Sequence, residues 1–183
     1  VIFAVITILS LFAGWHMDGN GNNINNFMNP NTLMQTATDT SFFYLRPKAV
    51  LFPRSPQEVA QIVRYVNEHK KDDPSLAITP RGAGTDMSGG AIGESLVLDL
   101  TRHMGRILEV KEDEIYVEAG AYYRHVDAAS EKVGAFIPSY PASRELCTVG
   151  GMVGNNSGGE KSLRYRKTEE YVKELEVVLS DGG

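Results

Sequence analysis

Two runs of small residues are the parts of this sequence equipped to do chemistry. The first, residues 79–90, reads Thr79-Pro80-Arg81-Gly82-Ala83-Gly84-Thr85-Asp86-Met87-Ser88-Gly89-Gly90. Its glycines let the backbone take positive φ and turn bare N–H groups toward one point, which is how a turn makes a cradle for an anion. Thr85 and Ser88 add hydroxyl donors, and Arg81 adds a fixed positive charge. Together these suit a pyrophosphate. Two familiar nucleotide signatures fail here. A dinucleotide fingerprint needs Gly three places after Gly84, where Met87 stands, and a helix after it, where the sequence reads as strand; an ATPase-type loop needs Gly-Lys-Ser/Thr, and the run has no Lys. Taken alone, the run also reads as a plain glycine-rich hairpin connection. The second run covers residues 138–159, again rich in Gly, with hydroxyl and amide side chains at intervals. A connection this long inside a compact domain is usually functional. One extended, phosphate-linked ligand would lie along both runs, whereas a lone phosphate would need only one.

The elements around these runs must position them. Residues 49–52 form a short apolar run closed by Pro53, the pattern of a buried strand. Ser55-Pro56-Gln57-Glu58 carries three helix-start signals: a cap, a proline at the first helical position and the Glu of a capping box. Val59, Ile62, Val63 and Val66 then recur at helical spacing on a helix ending near Lys70 and Lys71. Strands are expected at residues 76–79, 95–100, 106–110, 114–118 and 175–179. A second helix is expected over 122–133, with Val126, Ala129 and Val133 inward and Gly134 as its stop. The order predicts a mixed domain, read as α+β, with the first glycine run joining two strands.

Composition narrows the function classes. The chain has 183 residues, 42% of them apolar, enough for one core. Eighteen basic against 23 acidic side chains, net charge -5, offer no basic face to a phosphate backbone, so nucleic acid is not an expected partner. Cys147 is the single cysteine, which rules out an intrachain disulfide and a thiolate metal cluster; no metal site is expected. Residues 1–36 read as an apolar leader plus an Asn-rich spacer, and 37–183 as the domain. Val1 to Trp15 is uncharged and shorter than the ~20 residues of a spanning helix. Without a basic lead or an Ala-x-Ala exit it makes a poor signal peptide as it stands. Residues 20–31 hold seven Asn and read as a disordered spacer. The expected location is cytoplasmic, with membrane attachment through the N-terminal apolar segment left open. The chain stops at a turn signal, Ser180 to Gly183, directly after a strand-like run, and is expected to end inside a larger fold.

The segments ITPRGAGTDMSGG and PSYPASRELCTVGGMVGNNSGGEKSLRY, with ELEVVLSDG after them, resemble the FAD-binding domain of the vanillyl-alcohol oxidase / p-cresol methylhydroxylase superfamily. They look most like its branch of D-lactate dehydrogenases, glycolate oxidase FAD subunits and D-2-hydroxyglutarate dehydrogenases. Asp39-Thr40-Ser41-Phe42 and Arg46-Pro47 through Val50 look like that branch too, so the resemblance spans about residues 37–183. It implies a PCMH-type FAD-binding fold, mixed sheets with flanking helices, incomplete at the C-terminus. It implies that Pro80, Arg81, Gly82, Ala83, Gly84, Thr85 and Asp86, with Ser88 and Gly89, wrap the FAD pyrophosphate, all but the proline through backbone N–H groups. The ribityl chain and flavin ring would lie along Pro141, Ala142, Ser143, Cys147, Thr148, Gly150, Gly151, Asn155, Asn156, Ser157 and Gly158. Cys147 is read as packing and backbone contact, not as a nucleophile.

Some members attach FAD through a His in the first run. Here those positions are Thr85 and Asp86, so the flavin is expected to be non-covalent. Arg166 stands where this branch commonly has Gly after Leu-Arg-Tyr, and a side chain there would strain or obstruct a close backbone approach. The function implied is FAD binding within a dehydrogenase that oxidises a D-2-hydroxy acid by hydride transfer to the flavin, with an unknown electron acceptor. The acid, base and metal-binding residues of the family lie in its C-terminal part, so no catalytic residue is expected in this chain. An ether-lipid-type transferase of the same superfamily and a non-catalytic nucleotide-binding module are the other readings.

Overall fold

The computed structural model describes residues 28–183. Its centre is a three-stranded sheet of β1 (Ala49–Leu51), β2 (Ile78–Arg81) and β3 (Leu96–Asp99) in the order β1-β3-β2, with both pairings parallel. The residues of β1 and the first three of β3 are all buried. That explains why their sequences are unbroken apolar runs and not alternations: a parallel sheet is covered on both faces. Helix α1 (Pro30–Thr36) and helix α2 (Pro56–His69) supply the cover, with Leu33, Ile62 and Val66 in one cluster with the sheet, Phe52 and Leu76. Each such side chain, fully buried, contributes about 1.5–3 kcal/mol.

Helix α2 starts where its signals say. The Ser55 hydroxyl accepts from the Glu58 N–H at 3.3 Å, and Glu58 Oε2 accepts from the Arg54 N–H at 2.8 Å, one residue before the usual box partner. Helix α1 starts on the last residues of the Asn-rich stretch, where Asn29 caps the Asn31 N–H at 2.9 Å. Strand β2 departs from expectation. It begins at Ile78, two residues late, and runs through Pro80 and Arg81, which had been placed in the glycine run. Proline is tolerated because β2 is an edge strand and needs no second ladder. The glycine run therefore begins at Gly82.

Past β3, β4 (Ile107–Val110) and β5 (Ile115–Val117) form an antiparallel hairpin with an irregularity between Ile107 and Glu109. Helix α3 (Tyr123–Glu131) buries Tyr123, Val126 and Ser130, and Gly134 follows it at φ +75°. Val133, expected to face inward, is 40% exposed because the helix ends before it. The strand expected at 175–179 is absent: the segment has no ladder partner among the described residues, and Leu175, Val177 and Leu179 are more than half exposed. Lys173 ties its start to Asp113 and Glu114 of the hairpin turn at 3.1 and 3.2 Å, and Asn67 and Arg64 hold the Ser180 and Gly182 carbonyls.

The expected membrane attachment is withdrawn. Among the described residues no helix is long and apolar enough to cross a membrane, and the run Val1 to Trp15 on which the expectation rested lies outside them.

The end of β2 is fixed by one buried side chain. The Arg81 guanidinium donates from Nη1 to the Ala91 and Thr36 carbonyls at 3.0 and 3.4 Å, and from Nη2 to the Thr38 carbonyl at 2.9 Å. Burial works against its charge, while Asp99 and Asp39 favour it. Arg81→Ala should lower stability by about 2–4 kcal/mol in urea denaturation, because three carbonyls, two of them on buried residues, lose their donor at once. Arg81→Lys should recover only part of this, since an ammonium cannot reproduce the planar fork.

Candidate functional site

The three parallel strands end together, and a cleft of about 420 Å³ opens at their carboxyl edge. Phe52 follows β1; Arg81, Gly82 and Ala83 stand at the end of β2; Asp99, Thr101 and Arg102 stand at the end of β3. Thr32, Gln35 and Thr36 of α1 and Tyr122 complete the lining. Open parallel sheets bind ligands in this crevice, outside the carboxyl ends of their strands. Sequence reasoning missed Phe52, Asp99, Thr101, Arg102 and Tyr122. The signal lay in the unbroken apolar runs, which mark parallel strands, but the cleft side of each strand end is not written in its residue type. Asp99 Oδ1 accepts from the Thr101 N–H and hydroxyl at 2.9 and 2.6 Å, and Arg102 lies over the Phe52 ring at 4.7 Å.

The connection from β2 to β3 is the first glycine run, and its two halves differ. In the upstream half the N–H groups of Gly82, Ala83, Gly84, Thr85 and Asp86 donate to no acceptor among the described residues. Gly84 sits at φ +70°, and a Cβ there would run into the Arg81 guanidinium. In the downstream half the Ser88 and Gly90 donors are engaged. Asp86 Oδ1 accepts from the Ser88 N–H at 2.6 Å, the Ser88 hydroxyl at 2.7 Å and the Gly90 N–H at 3.0 Å. These bonds hold the Asp86 carboxyl well below the usual carboxylate range, at about 2. Gly89 has φ +88°.

The second run is not a long loop. Helix α4 (Val149–Gly154) interrupts it, and helix α5 (Ser162–Tyr165) follows just past its end. Thr148, 1% exposed, caps α4 through the Gly151 N–H at 3.3 Å and pairs with Tyr122 as an isolated antiparallel bridge. Gly150 donates to the Ala119 carbonyl at 2.8 Å, too close for a side chain. The two runs meet in two places. A Cβ on Gly82 would overlap the Thr148 hydroxyl, and Asn155 Nδ2 donates to Asp86 Oδ2 at 3.0 Å. Pro141, Ala142 and Ser143 form a turn closed by the Arg144 and Cys147 N–H groups, and Ser157 accepts from the Thr168 N–H and hydroxyl; these are bonds within the second run and the turn after it. Gly158 packs against Ser162, and Asn156, at φ +44°, accepts from the Glu169 N–H. Cys147 is buried with Tyr123, Tyr140 and Met152, and burial pushes its thiol up, as suits packing and not nucleophilic attack.

Arg166 adopts φ +59° and ψ -149°, a region that is essentially glycine's alone. Its N–H donates to the Ser162 carbonyl at 2.8 Å and its own carbonyl accepts from the Ser139 hydroxyl at 3.2 Å, so the backbone is held there from both sides. The guanidinium, on a side chain 75% exposed, pairs with Glu170 at 3.1 Å.

Residues 47–183 match the family described as FAD binding domain. The chain is 37% identical over 151 residues to the D-2-hydroxyglutarate dehydrogenase of Pantoea ananatis, an alignment covering 81% of this chain and 15% of that protein. It is 36% identical over 148 residues to the Escherichia coli protein of the same name, covering 80% and 14%. It is 35% identical over 157 residues to glycolate oxidase subunit GlcD of Bacillus subtilis, covering 84% and 32%. The chain thus spans less than a third of the length of these curated relatives. An alkyldihydroxyacetonephosphate synthase structure superposes with a TM-score of 0.67 at 20% identity, covering 78% of this chain and 28% of that one, a likeness of fold.

Two outcomes follow from the geometry. Arg166→Gly should raise stability by about 1–3 kcal/mol, the usual cost of such a conformation, less the small worth of an exposed ion pair; chemical denaturation of the two proteins measures it. The Asp86 carboxyl, at about 2 in the folded chain, is lowered from its unfolded value, so the stability from its hydrogen bonds is complete above the ordinary carboxylate range and is lost as pH falls through about 2. The Ser88 and Gly90 amide resonances should titrate in that window, and should not do so in Asp86→Asn.

Proposed function

The chain belongs to the FAD binding domain family, and from that premise we propose that it is the cofactor-binding part of a flavin-dependent oxidoreductase acting on a D-2-hydroxy acid. The single observation that supports the site is the row of five backbone N–H groups, Gly82 to Asp86, left without acceptors among the described residues at the carboxyl end of β2. Such a row is the donor set a pyrophosphate needs. The residues fit the cofactor in a second way. At Gly82 and Gly84 a Cβ would meet Thr148 or Arg81, so the backbone there is kept bare and close.

In this reading the N–H groups of Gly82 to Asp86 hold the pyrophosphate, Pro80 and Arg81 anchor the row at the end of β2, and Ser88 and Gly89 shape the turn beyond. Thr148, Gly150 and Gly151 and the stretch Asn155 to Gly158 line the remainder, with Pro141 to Ser143 beside it. Bound FAD would supply a two-electron acceptor for the hydride leaving the α-carbon of the substrate. This chain binds, orients and excludes water; no proton-transfer residue is assigned to it. The substrate class rests on relatives whose names, D-2-hydroxyglutarate dehydrogenase, glycolate oxidase subunit and D-lactate dehydrogenase, share a 2-hydroxy acid.

The attachment is non-covalent, since Thr85 and Asp86 offer no imidazole. The purified chain, supplied with FAD, should turn yellow and quench flavin fluorescence on titration, and acid precipitation should leave the flavin in the supernatant. A chain that stays colourless overturns the assignment, and flavin in the pellet overturns the mode of attachment. Gly84→Val should abolish flavin retention, because a β-branched side chain at positive φ collides with Arg81 and displaces the N–H row. Its stability should also fall by about 1–3 kcal/mol.

A further inference from the structure

The downstream half of the first glycine run is an anion cradle that already contains an anion. Two N–H groups and a hydroxyl converge on Asp86 Oδ1 at 2.6 to 3.0 Å, the arrangement a phosphate oxygen would take. The second carboxylate oxygen receives Asn155 Nδ2, and the Asp86 carbonyl receives the Thr40 N–H and hydroxyl at 3.2 and 2.8 Å. Three separate segments thus hold this residue in place. No Lys or Arg pairs with the carboxylate among the described residues, so its charge is balanced by dipoles alone. At neutral pH it is ionised. The upstream N–H row ends on this same residue, so an anion bound at that end of the row faces a full negative charge, whose repulsion is only partly screened at ordinary ionic strength.

We propose that Asp86 is a built-in occupant of the loop's anion site: its carboxylate closes the Ser88–Gly90 half to phosphate, confines a pyrophosphate to the Gly82–Asp86 row and weakens its hold. This rests on the reading that the loop carries the FAD pyrophosphate. The opposing view is that Asp86 is only a brace, whose removal loosens the loop and weakens binding. The two differ in sign.

The test uses the whole chain, with Asp86→Asn and Asp86→Gly, titrated calorimetrically with inorganic pyrophosphate and separately with FAD. Asparagine keeps an oxygen for the three donors while removing the charge; glycine frees the donors as well. Pyrophosphate should bind Asp86→Asn about three- to tenfold more tightly than the unaltered chain at low salt, as expected for one unit charge removed nearby. That advantage should shrink in about 0.5 M NaCl, where the Debye length falls to a few ångströms. Asp86→Gly should bind at least as tightly as Asp86→Asn. Equal or weaker pyrophosphate binding by the folded Asn variant, a gap indifferent to salt, or no binding by any of the three proteins overturns the proposal. If Asp86→Gly fails to fold by circular dichroism, the Asn variant decides. Failure of the unaltered chain to bind FAD would defeat the flavin reading, while the ratio of pyrophosphate affinities would still decide this one.

Discussion

A guanidinium buried at the end of an edge strand is the constraint from which the rest of the site is arranged. Arg81 cannot be moved out of water without replacing its hydration, and the replacement is a ring of carbonyls drawn from Thr36, Thr38 and Ala91. Thr36 and Thr38 precede Arg81 by 45 and 43 residues and Ala91 follows it by 10, so satisfying one side chain makes the end of α1, the segment after it and the residue just past the glycine run converge. Once they converge, Thr40 reaches the Asp86 carbonyl and the strap from 38 to 40 lies across the loop. A charge that looks available for a phosphate is thereby used to build the frame on which backbone donors are displayed.

This division of labour suits the chemistry of a polyanionic ligand. Side-chain cations bind phosphate tightly but point-wise, whereas a row of backbone N–H groups follows an extended diester and is already oriented before the ligand arrives. The contact of Gly82 with Thr148 and the bond from Asn155 to Asp86 then fix the second run against the first. Two glycine-rich segments, each too pliant to define a surface, become one surface through these two junctions.

What could be read from the residues and what could not divides along the range of the interactions. The Ser55 cap, the stripe Ile62 and Val66, and the Gly134 stop are local, and the structure contains all three. Helix α4 was not legible, because Gly150, Gly151 and Gly154 each disfavour a helix by about 1 kcal/mol. It forms because Thr148 caps it and Gly150 docks on the Ala119 carbonyl, which no short-range pattern announces. The three carbonyl partners of Arg81 have no side-chain signature at all. Strand β2 began two residues late because its pairing with β3, not its own apolar residues, sets its limits. The left-handed backbone at Arg166 was legible only through the family resemblance, which led to an expectation of glycine there; arginine itself gives no hint of it.

The segment 172–179 carries a charge pattern that opposes pairing with a second copy of itself. Its N–H and C=O groups from 173 to 178 have no backbone partner among the described residues, and Leu175, Val177 and Leu179 share one exposed side. Such an edge is a template for another copy of itself. Glu174 and Glu176 alternate with these apolar residues, so antiparallel self-pairing would bring carboxylates of two chains together across the new ladder. That repulsion is electrostatic and not steric, and it weakens as salt rises.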